Sequence, residues 1–234
     1  WNTSFSSPDI VNEVVRKAFK TAELEKPGAT HIELSEDMAE RETGKNRTPI
    51  ARHRVRRPGP DYKAIRQAIG LLKQSKRPLV IAGNGAIRKL ASKHLTQLAE
   101  KHDMPVVSTF MGKGAVSDKL PQSLLSIGLG FKDYVTEADK KPIDSDGWLR
   151  HRRITAAGLE SSKREKIIHI DFDPAEVYTH YNPDVEITGD ISGALWELNE
   201  KLAGEDVDFD TSWYRPIRNR ILEDISGYSL SEGD

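Results

Sequence analysis

The chain has 234 residues, of which 37% are hydrophobic and 30% charged, with a formal net charge of −1 and no cysteine. Such a length predicts one or two domains, and the near-neutral charge favours neither nucleic acid nor an anionic membrane as a partner. A chain without cysteine has no disulfides, no catalytic thiolate and no zinc site built on cysteine. No apolar run reaches membrane-spanning length and residues 1–20 lack a signal-peptide core, so we expect a cytoplasmic protein.

Residues 1–45 are predicted to form a helix followed by a short strand. Ser7, Pro8 and Asp9 are typical of a helix start, with the aspartate available as the cap, and apolar residues then recur at helical spacing. Residues 29–34 alternate as a strand does. One helix and one strand cannot bury their apolar faces alone, and the chain does not start with methionine. We therefore expect this region to be the end of a preceding domain.

Residues 46–60 are predicted to be an interdomain linker, because proline and glycine punctuate a polar stretch. The part from Arg52 to Arg57 is basic, which would suit nucleic acid. No aromatic residue interleaves with it to stack on bases, so a solvated linker is the favoured interpretation.

Residues 61–203 alternate between apolar strands and amphipathic helices. This alternation with short loops predicts a doubly wound parallel α/β sheet covered by helices. Residues 204–234 are predicted to be an acidic linker followed by the start of a further domain, whose first helix lies near 213–225. The predicted strands lie near 78–83, 105–109, 166–171 and 185–188.

Glycines and carboxylates follow two of these strands. Gly83 and Gly85 follow the first, and Asp171 and Asp173 follow the third. An acidic pair at the carboxyl end of a strand is how an open α/β sheet presents groups to a ribose or an adenine, which indicates a dinucleotide-type domain. The alternatives are structural, because glycines occur in many strand–helix turns and either aspartate can cap a helix that starts near Pro174.

Several segments, in this order, resemble the central domain of thiamine diphosphate-dependent acetolactate synthases. They are residues 78–85 (PLVIAGNG), 109–114 (TFMGKG), 166–176 (KIIHIDFDPAE) and 189–190 (GD). Residues 27–37 resemble the final strand of the family's pyrimidine-binding domain. Each motif alone is weak, and their order and spacing make the match specific.

The resemblance implies decarboxylation of pyruvate and its carboligation to 2-acetolactate, in branched-chain amino acid or acetoin metabolism. It implies thiamine diphosphate and Mg2+ as cofactors and a homodimeric or homotetrameric enzyme. The family's activating glutamate belongs to the preceding domain and its aspartate–asparagine magnesium motif to the following one, and neither has a counterpart in this sequence. We therefore assign no catalytic and no metal-binding residue, and expect a fragment that is structural and inactive in isolation.

The family also implies a cofactor edge at the ends of the strands. Biosynthetic members bind FAD in this domain and catabolic members leave it unbound; residues 126–134 resemble the flavin-free type. The alternative interpretation is a stand-alone dinucleotide- or FAD-binding α/β module, of the class that sirtuin-like deacylases and electron-transfer flavoproteins use. The matching positions are Gly83, Asn84 and Gly85 near the phosphates, Thr109, Phe110, Met111 and Gly112 beside the ring, and Asp171 and Asp190 toward ribose and adenine.

Residues 139–165 depart from the family, which has an apolar strand there. This stretch lacks strand periodicity, and its cluster at Arg150, Arg152 and Arg153 could not lie in a sheet covered on both faces. We interpret it as a compensated frameshift, because codons can be chosen whose shifted reading gives Leu-Ile-Leu-Thr-Val-Gly-Tyr-Asp. A divergent surface insertion is the alternative.

We predict that residues 139–165 form an exposed excursion rather than a strand, and that restoring the shifted reading raises the melting temperature and the protease resistance. Burial of several aliphatic side chains would contribute about 5–10 kcal/mol at about 25 cal/mol per Å2, before conformational entropy is subtracted. The encoding DNA gives the first test, since a shifted reading without Val-Gly-Tyr-Asp contradicts the frameshift. Equal stability of the two versions, with no cutting between 139 and 165, contradicts the excursion.

Overall fold

The structure is a computed structural model that describes residues 1–44, 48–52, 57–127, 166–174 and 182–227. The chain divides into two compact units, Trp1–Arg57 and Pro58–Asp234. Within the described ranges, no helix is long and apolar enough to cross a membrane.

The first unit pairs two short parallel strands beside a helix. Asn2 lies opposite His31 and Ser4 opposite Glu33 in the sheet. The hydroxyl of Ser7 accepts a hydrogen bond from the amide N–H of Asp9 (3.1 Å) and caps the 3-10 turn that precedes the helix. The helix itself follows Ile10 without a side-chain cap, so the predicted aspartate cap is wrong. The elements are β1 (Asn2–Ser4), a 3-10 turn (Pro8–Ile10), α1 (Val11–Glu23), β2 (His31–Glu33) and α2 (Glu36–Ala39).

The first unit buries little apolar surface. Ala18 and Met38 are its buried hydrophobic residues among those described, whereas Phe19 on α1 is 64% exposed. The helix and the second strand are where the sequence predicted them. The sequence did not predict β1, because this strand has only three residues and all three are polar. The expectation that this unit ends a preceding domain stays a prediction.

The second unit alternates strands and helices from residue 62 onward. All four predicted strands are present, and there is a further strand, β5, whose sequence Ser-Leu-Leu-Ser has no apolar alternation. The elements are α3 (Tyr62–Gln74), β3 (Val80–Ala82), α4 (Lys89–His102), β4 (Val106–Ser108), β5 (Ser123–Ser126), β6 (Ile168–Asp171), β7 (Val185–Thr188), α5 (Ile191–Leu202) and α6 (Tyr214–Ser226).

Every pairing among the described strands of the second unit is parallel, which confirms the predicted α/β class. The strands form a sheet of order β3-β4-β5 and a sheet of order β6-β7. The general order of strands in a doubly wound sheet is 3-2-1-4-5-6. If β3, β4 and β5 are strands 1, 2 and 3 of that order and β6 and β7 are strands 5 and 6, the order has a fourth strand between β3 and β6. Residues 128–165 are outside the described ranges, so the frameshift at 139–165 stays a prediction.

The pairing of β4 with β5 contains a bulge. The register shifts between Val106 and Ser108, and Leu125 on β5 has a φ of 59°, in the left-handed region. A left-handed residue inside a strand interrupts the regular ladder and increases the local twist. Ile127 then rejoins the sheet by donating its N–H to the carbonyl of Ser108 (2.9 Å).

The main core lies between helices α3, α4 and α5 and the sheets. Ile65 and Leu202 on the helices, and Val106 and Ile187 on the strands, are each 0% exposed. Asn199 on α5 is buried and donates from Nδ2 to the carbonyl of His94 on α4 (2.9 Å). The helices over the sheet are therefore tied together by a buried polar contact as well as by apolar packing.

A smaller core holds α6 against β4 and β5. Trp213 and Tyr214 pack with Val107, Leu124 and Ile127. The acidic segment before α6, predicted as a linker, forms ion pairs at the surface with α3 and with the residues that follow α3. These pairs are Lys73–Glu205, Lys76–Asp208 (3.1 Å) and Arg77–Asp210 (2.6 Å). The assignment of residues 204–234 to a linker and a following domain stays a prediction, and in this chain α6 packs within the second unit.

Asp103 links the end of α4 to α6. Its carboxylate accepts hydrogen bonds from Gln122 Nε2 (2.7 Å), the Tyr214 hydroxyl (2.6 Å) and Arg215 Nη2 (3.1 Å). Burial alone would raise the pKa of Asp103, but these donors together with Thr211 hold the pKa below its usual value. Asp103 therefore acts as an ionised acceptor that fixes α6 in place.

The Tyr214–Asp103 contact predicts a component of alkaline unfolding. Burial, reinforced by the Asp103 carboxylate, raises the pKa of Tyr214 to about 12. An unfolded tyrosine has a pKa of about 10, so the stabilisation is complete below about pH 10 and is lost as the pH rises toward the folded value. We expect Tyr214→Phe to lower the free energy of unfolding by about 1 kcal/mol at pH 7 and to remove this alkaline component.

Urea unfolding at pH 7 to 12 measures both effects. Tyr62→Phe is the matched control, because Tyr62 is 56% exposed. An alkaline loss in Tyr214→Phe as large as in the unsubstituted chain would contradict the assignment.

Candidate functional site

The carboxyl ends of β3 and β4 are joined directly. The amide N–H of Thr109, which follows β4, donates to the carbonyl of Ala82 at the end of β3 (2.9 Å). Each strand then enters a 3-10 turn, Asn84–Ile87 after β3 and Phe110–Gly112 after β4. The turns that carry most of the predicted cofactor positions therefore lie side by side at one edge of the sheet, where ligands bind in open α/β folds.

Gly112 is the point of closest approach between these turns. The Thr109 hydroxyl accepts a hydrogen bond from Gly112 N–H (3.1 Å), which closes the second turn. A Cβ atom at Gly112 would lie 1.9 Å from the carbonyl oxygen of Ala82 and 3.1 Å from the carbonyl carbon of Gly83. Only glycine fits there, because any side chain would collide with the backbone of β3.

Gly189 and Asp190 follow β7 and lie against the first residues of the second unit. Gly189 has a φ of +149°, and a Cβ there would lie 2.9 Å from the carbonyl oxygen of Gly59. The amide N–H of Asp190 donates to the carbonyl of Pro58 (3.0 Å). Residues 58–60 therefore cross the end of β7, where the sequence predicted only a linker.

Asp190, predicted to face ribose and adenine, caps α5. Its Oδ2 accepts a hydrogen bond from the N–H of Gly193 (3.0 Å). A carboxylate at this position satisfies a free N–H and interacts favourably with the helix dipole. The structure thus gives Asp190 a structural use, and its predicted role toward a cofactor stays a prediction.

Asp171 ends β6 beside the same region. Its carbonyl accepts the N–H of Gly189 (2.9 Å), and its Oδ1 accepts the N–H of Phe172 (2.6 Å). The carboxylate turns toward its own backbone, as in the capping alternative, while residues 175–181 are outside the described ranges. The structure therefore places Asp171 next to β7 and gives no measured contact between it and the glycine turn.

Ile191 joins the β7 end to the glycine turn after β3. Its Cδ1 would lie 2.4 Å from a Cβ built on Gly85, so the isoleucine packs directly on the glycine backbone. Sequence reasoning missed Ile191. The sequence offered one signal, namely that an apolar residue directly follows Asp190 at the first position of a helix. An isoleucine at that position suggests that its side chain packs against another part of the chain.

The exposed members of the predicted set are Asn84, Phe110 and Met111. Phe110 is 73% exposed and Met111 64% exposed. Two large apolar side chains on one short turn, at an edge where ligands bind in this fold class, are typical of a contact surface.

The described residues of this edge supply no cluster of metal ligands and leave only the Gly83 side of the glycine turn open. Among residues 1–44, 48–52, 57–127, 166–174 and 182–227, no group of three or more His, Asp or Glu could hold a metal ion. For FAD, the side-chain faces of Gly85, Gly112 and Gly189 are filled by other atoms of the chain. We therefore assign no catalytic role to these residues, and the expectation that catalytic groups lie in other domains stays a prediction.

A family model described as the central domain of thiamine pyrophosphate enzymes matches residues 65–198. This chain belongs to that family. The match covers the parallel strands from β3 to β7 and most of α5, which is the region where the sequence resemblance was found.

The relatives of this thiamine pyrophosphate enzyme domain include acetolactate synthases. The probable acetolactate synthase large subunit of Methanocaldococcus jannaschii is 33% identical over 92% of this chain and 38% of that protein. The corresponding protein of Methanococcus aeolicus is 35% identical over 82% of this chain and 33% of that protein. The acetolactate synthase of Arthrospira platensis is 29% identical over 83% of this chain and 35% of that protein. The predicted resemblance is confirmed, and the chain spans less than two fifths of each of these relatives.

One solved structure supports the fold. An X-ray structure from Mycobacterium smegmatis, assigned to the thiamin diphosphate-dependent enzymes, superposes with a TM-score of 0.65. The match covers 91% of this chain and 40% of that one at 17% identity, so it bears on the fold alone.

Gly112→Ala tests the close approach of the two turns. We expect it to lower the free energy of unfolding by about 1–3 kcal/mol or more, because the added methyl group collides with backbone rather than with a flexible side chain. Gly70→Ala is the matched control: Gly70 lies in helix α3 with open space around its Cβ position, so alanine should raise stability by about 0.5–1 kcal/mol. Urea unfolding of both variants measures the difference, and a tolerated Gly112→Ala would contradict the described packing.

Proposed function

We propose that this chain is the structural central domain of an acetolactate synthase-like enzyme, which decarboxylates pyruvate and joins the product to a second keto acid as 2-acetolactate. The family match over residues 65–198, together with 33% identity to an acetolactate synthase large subunit over 92% of the chain, carries the proposal. The relatives are longer, so the activity belongs to the whole enzyme and not to this portion.

The proposed role of the second unit is to hold a rigid edge toward the rest of the enzyme. Gly112 and Thr109 fix the turn that carries Phe110 and Met111 outward, and Asp190 fixes the start of α5. Thiamine diphosphate, when bound elsewhere in such an enzyme with Mg2+, supplies carbanion stabilisation. The residues of this chain would orient the domains around that site and exclude water from it.

The stand-alone dinucleotide-binding module is the less favoured function. The relatives named above are acetolactate synthases, and the packing of Ile191 against Gly85 speaks against a phosphate-binding turn. Pyruvate as the substrate, assembly as a homodimer or homotetramer, and a cytoplasmic location are parts of the proposal that the relatives make reasonable for the whole enzyme.

We predict that the chain alone forms no acetolactate from pyruvate with thiamine diphosphate and Mg2+, because the sequence has no counterpart of the family's activating glutamate or magnesium motif. Acetoin released after acid decarboxylation measures the product. Turnover above background from the purified chain would contradict a purely structural role.

A chimera tests the positive half of the proposal. Residues 58–203 would replace the matched part of the Methanocaldococcus jannaschii relative, once as written and once with the shifted reading restored at 139–165. We expect thiamine diphosphate-dependent acetolactate formation from at least the restored version, and its loss when Gly112→Ala is added. Inactivity of both chimeras, although gel filtration shows the oligomer of the relative, would overturn the proposal.

A further inference from the structure

The Gly85 end of the turn after β3 is covered by a side chain of the protein. Ile191 Cδ1 would lie 2.4 Å from a Cβ on Gly85, whereas a Cβ on Gly83 would meet no atom within 4 Å. Neither glycine has a positive φ, so the two positions differ in available space rather than in backbone conformation. The contrast shows that Gly85 is a packing glycine.

A dinucleotide needs open backbone N–H groups and a helix N-terminus for its phosphates. The helix that follows the glycine turn is α4, which starts without a side-chain cap. The N-terminus of α5, beside the turn through Ile191, carries the negative charge of Asp190, which accepts from Gly193 N–H. Several backbone donors are also used within the chain: Ala86 to Gly83 (3.0 Å), Gly112 to Thr109 (3.0 Å), Gly189 to Asp171 (2.9 Å) and Asp190 to Pro58 (3.0 Å).

We propose that Ile191 closes the Gly83–Gly85 turn and makes this edge discriminate against FAD and related dinucleotides. The isoleucine covers Gly85, and the carboxylate beside it repels a diphosphate group. The turn after β3 then packs against the start of α5, although its glycines resemble a phosphate-binding pattern in the sequence. The proposal rests on the proposed function only in the choice of FAD as the probe.

A double-mutant cycle on the full chain tests the packing. The variants are Gly85→Ala, Ile191→Ala and the two combined, with Gly83→Ala as the matched control. We expect Gly85→Ala to lower the melting temperature by about 2–4 °C, the low end of overpacking costs, because the methyl group meets the tip of a side chain that can rotate. Gly83→Ala should leave it unchanged or raise it, and the double variant should be more stable than the sum of the single effects predicts.

An FAD titration tests the discrimination. We expect the fluorescence and anisotropy of FAD to remain unchanged on addition of the unsubstituted chain. The proposal is overturned if Gly85→Ala is tolerated as well as Gly83→Ala, if the cycle is additive, or if the unsubstituted chain binds FAD. These measurements use no acetolactate assay, so their failure is distinguishable from failure of the proposed function.

Discussion

The approach of Gly112 to the carbonyl of Ala82 is the constraint on which the functional edge depends. It sets how closely the turns after β3 and β4 can lie, and the Thr109 N–H bond to the same carbonyl holds them there. With this spacing fixed, Phe110 and Met111 point away from the sheet and Ile191 can reach Gly85. A bulkier residue at one glycine would disturb each of these positions.

Strand β4 is fixed at both ends by polar groups and in the middle by apolar packing. At the carboxyl end Thr109 bonds to β3, and before the amino end Asp103 gathers donors from the loop before β5 and from α6. Between them Val106 and Val107 are each 0% exposed and face opposite cores. Strand β4 therefore contacts α6 on one side and carries one of the two turns at its carboxyl end.

The sequence predicted the elements whose apolar period is unambiguous, namely helices α1 and α3 to α6 and the strands that carry runs of valine and isoleucine. It missed β5, where Ser123 and Ser126 hide a strand that is recognisable only from its neighbour β4. It also placed Gly83, Gly85 and Asp190 next to strand ends, and their predicted cofactor contacts stay a prediction. It did not reveal which atoms pack beside Gly85 and Gly189. That information depends on Ile191 and residues 58–60, which are distant in sequence and meet the edge only after folding.

The bulge in β5 affects how easily this strand could pair with a strand of another molecule. Among the described strands β5 is an outer strand of its sheet, and outer strands are templates for pairing with other chains. The left-handed Leu125 and the shifted register break the row of backbone donors and acceptors that an incoming strand would need. A backbone irregularity of this kind is one of the means by which natural sheets discourage the addition of a further strand.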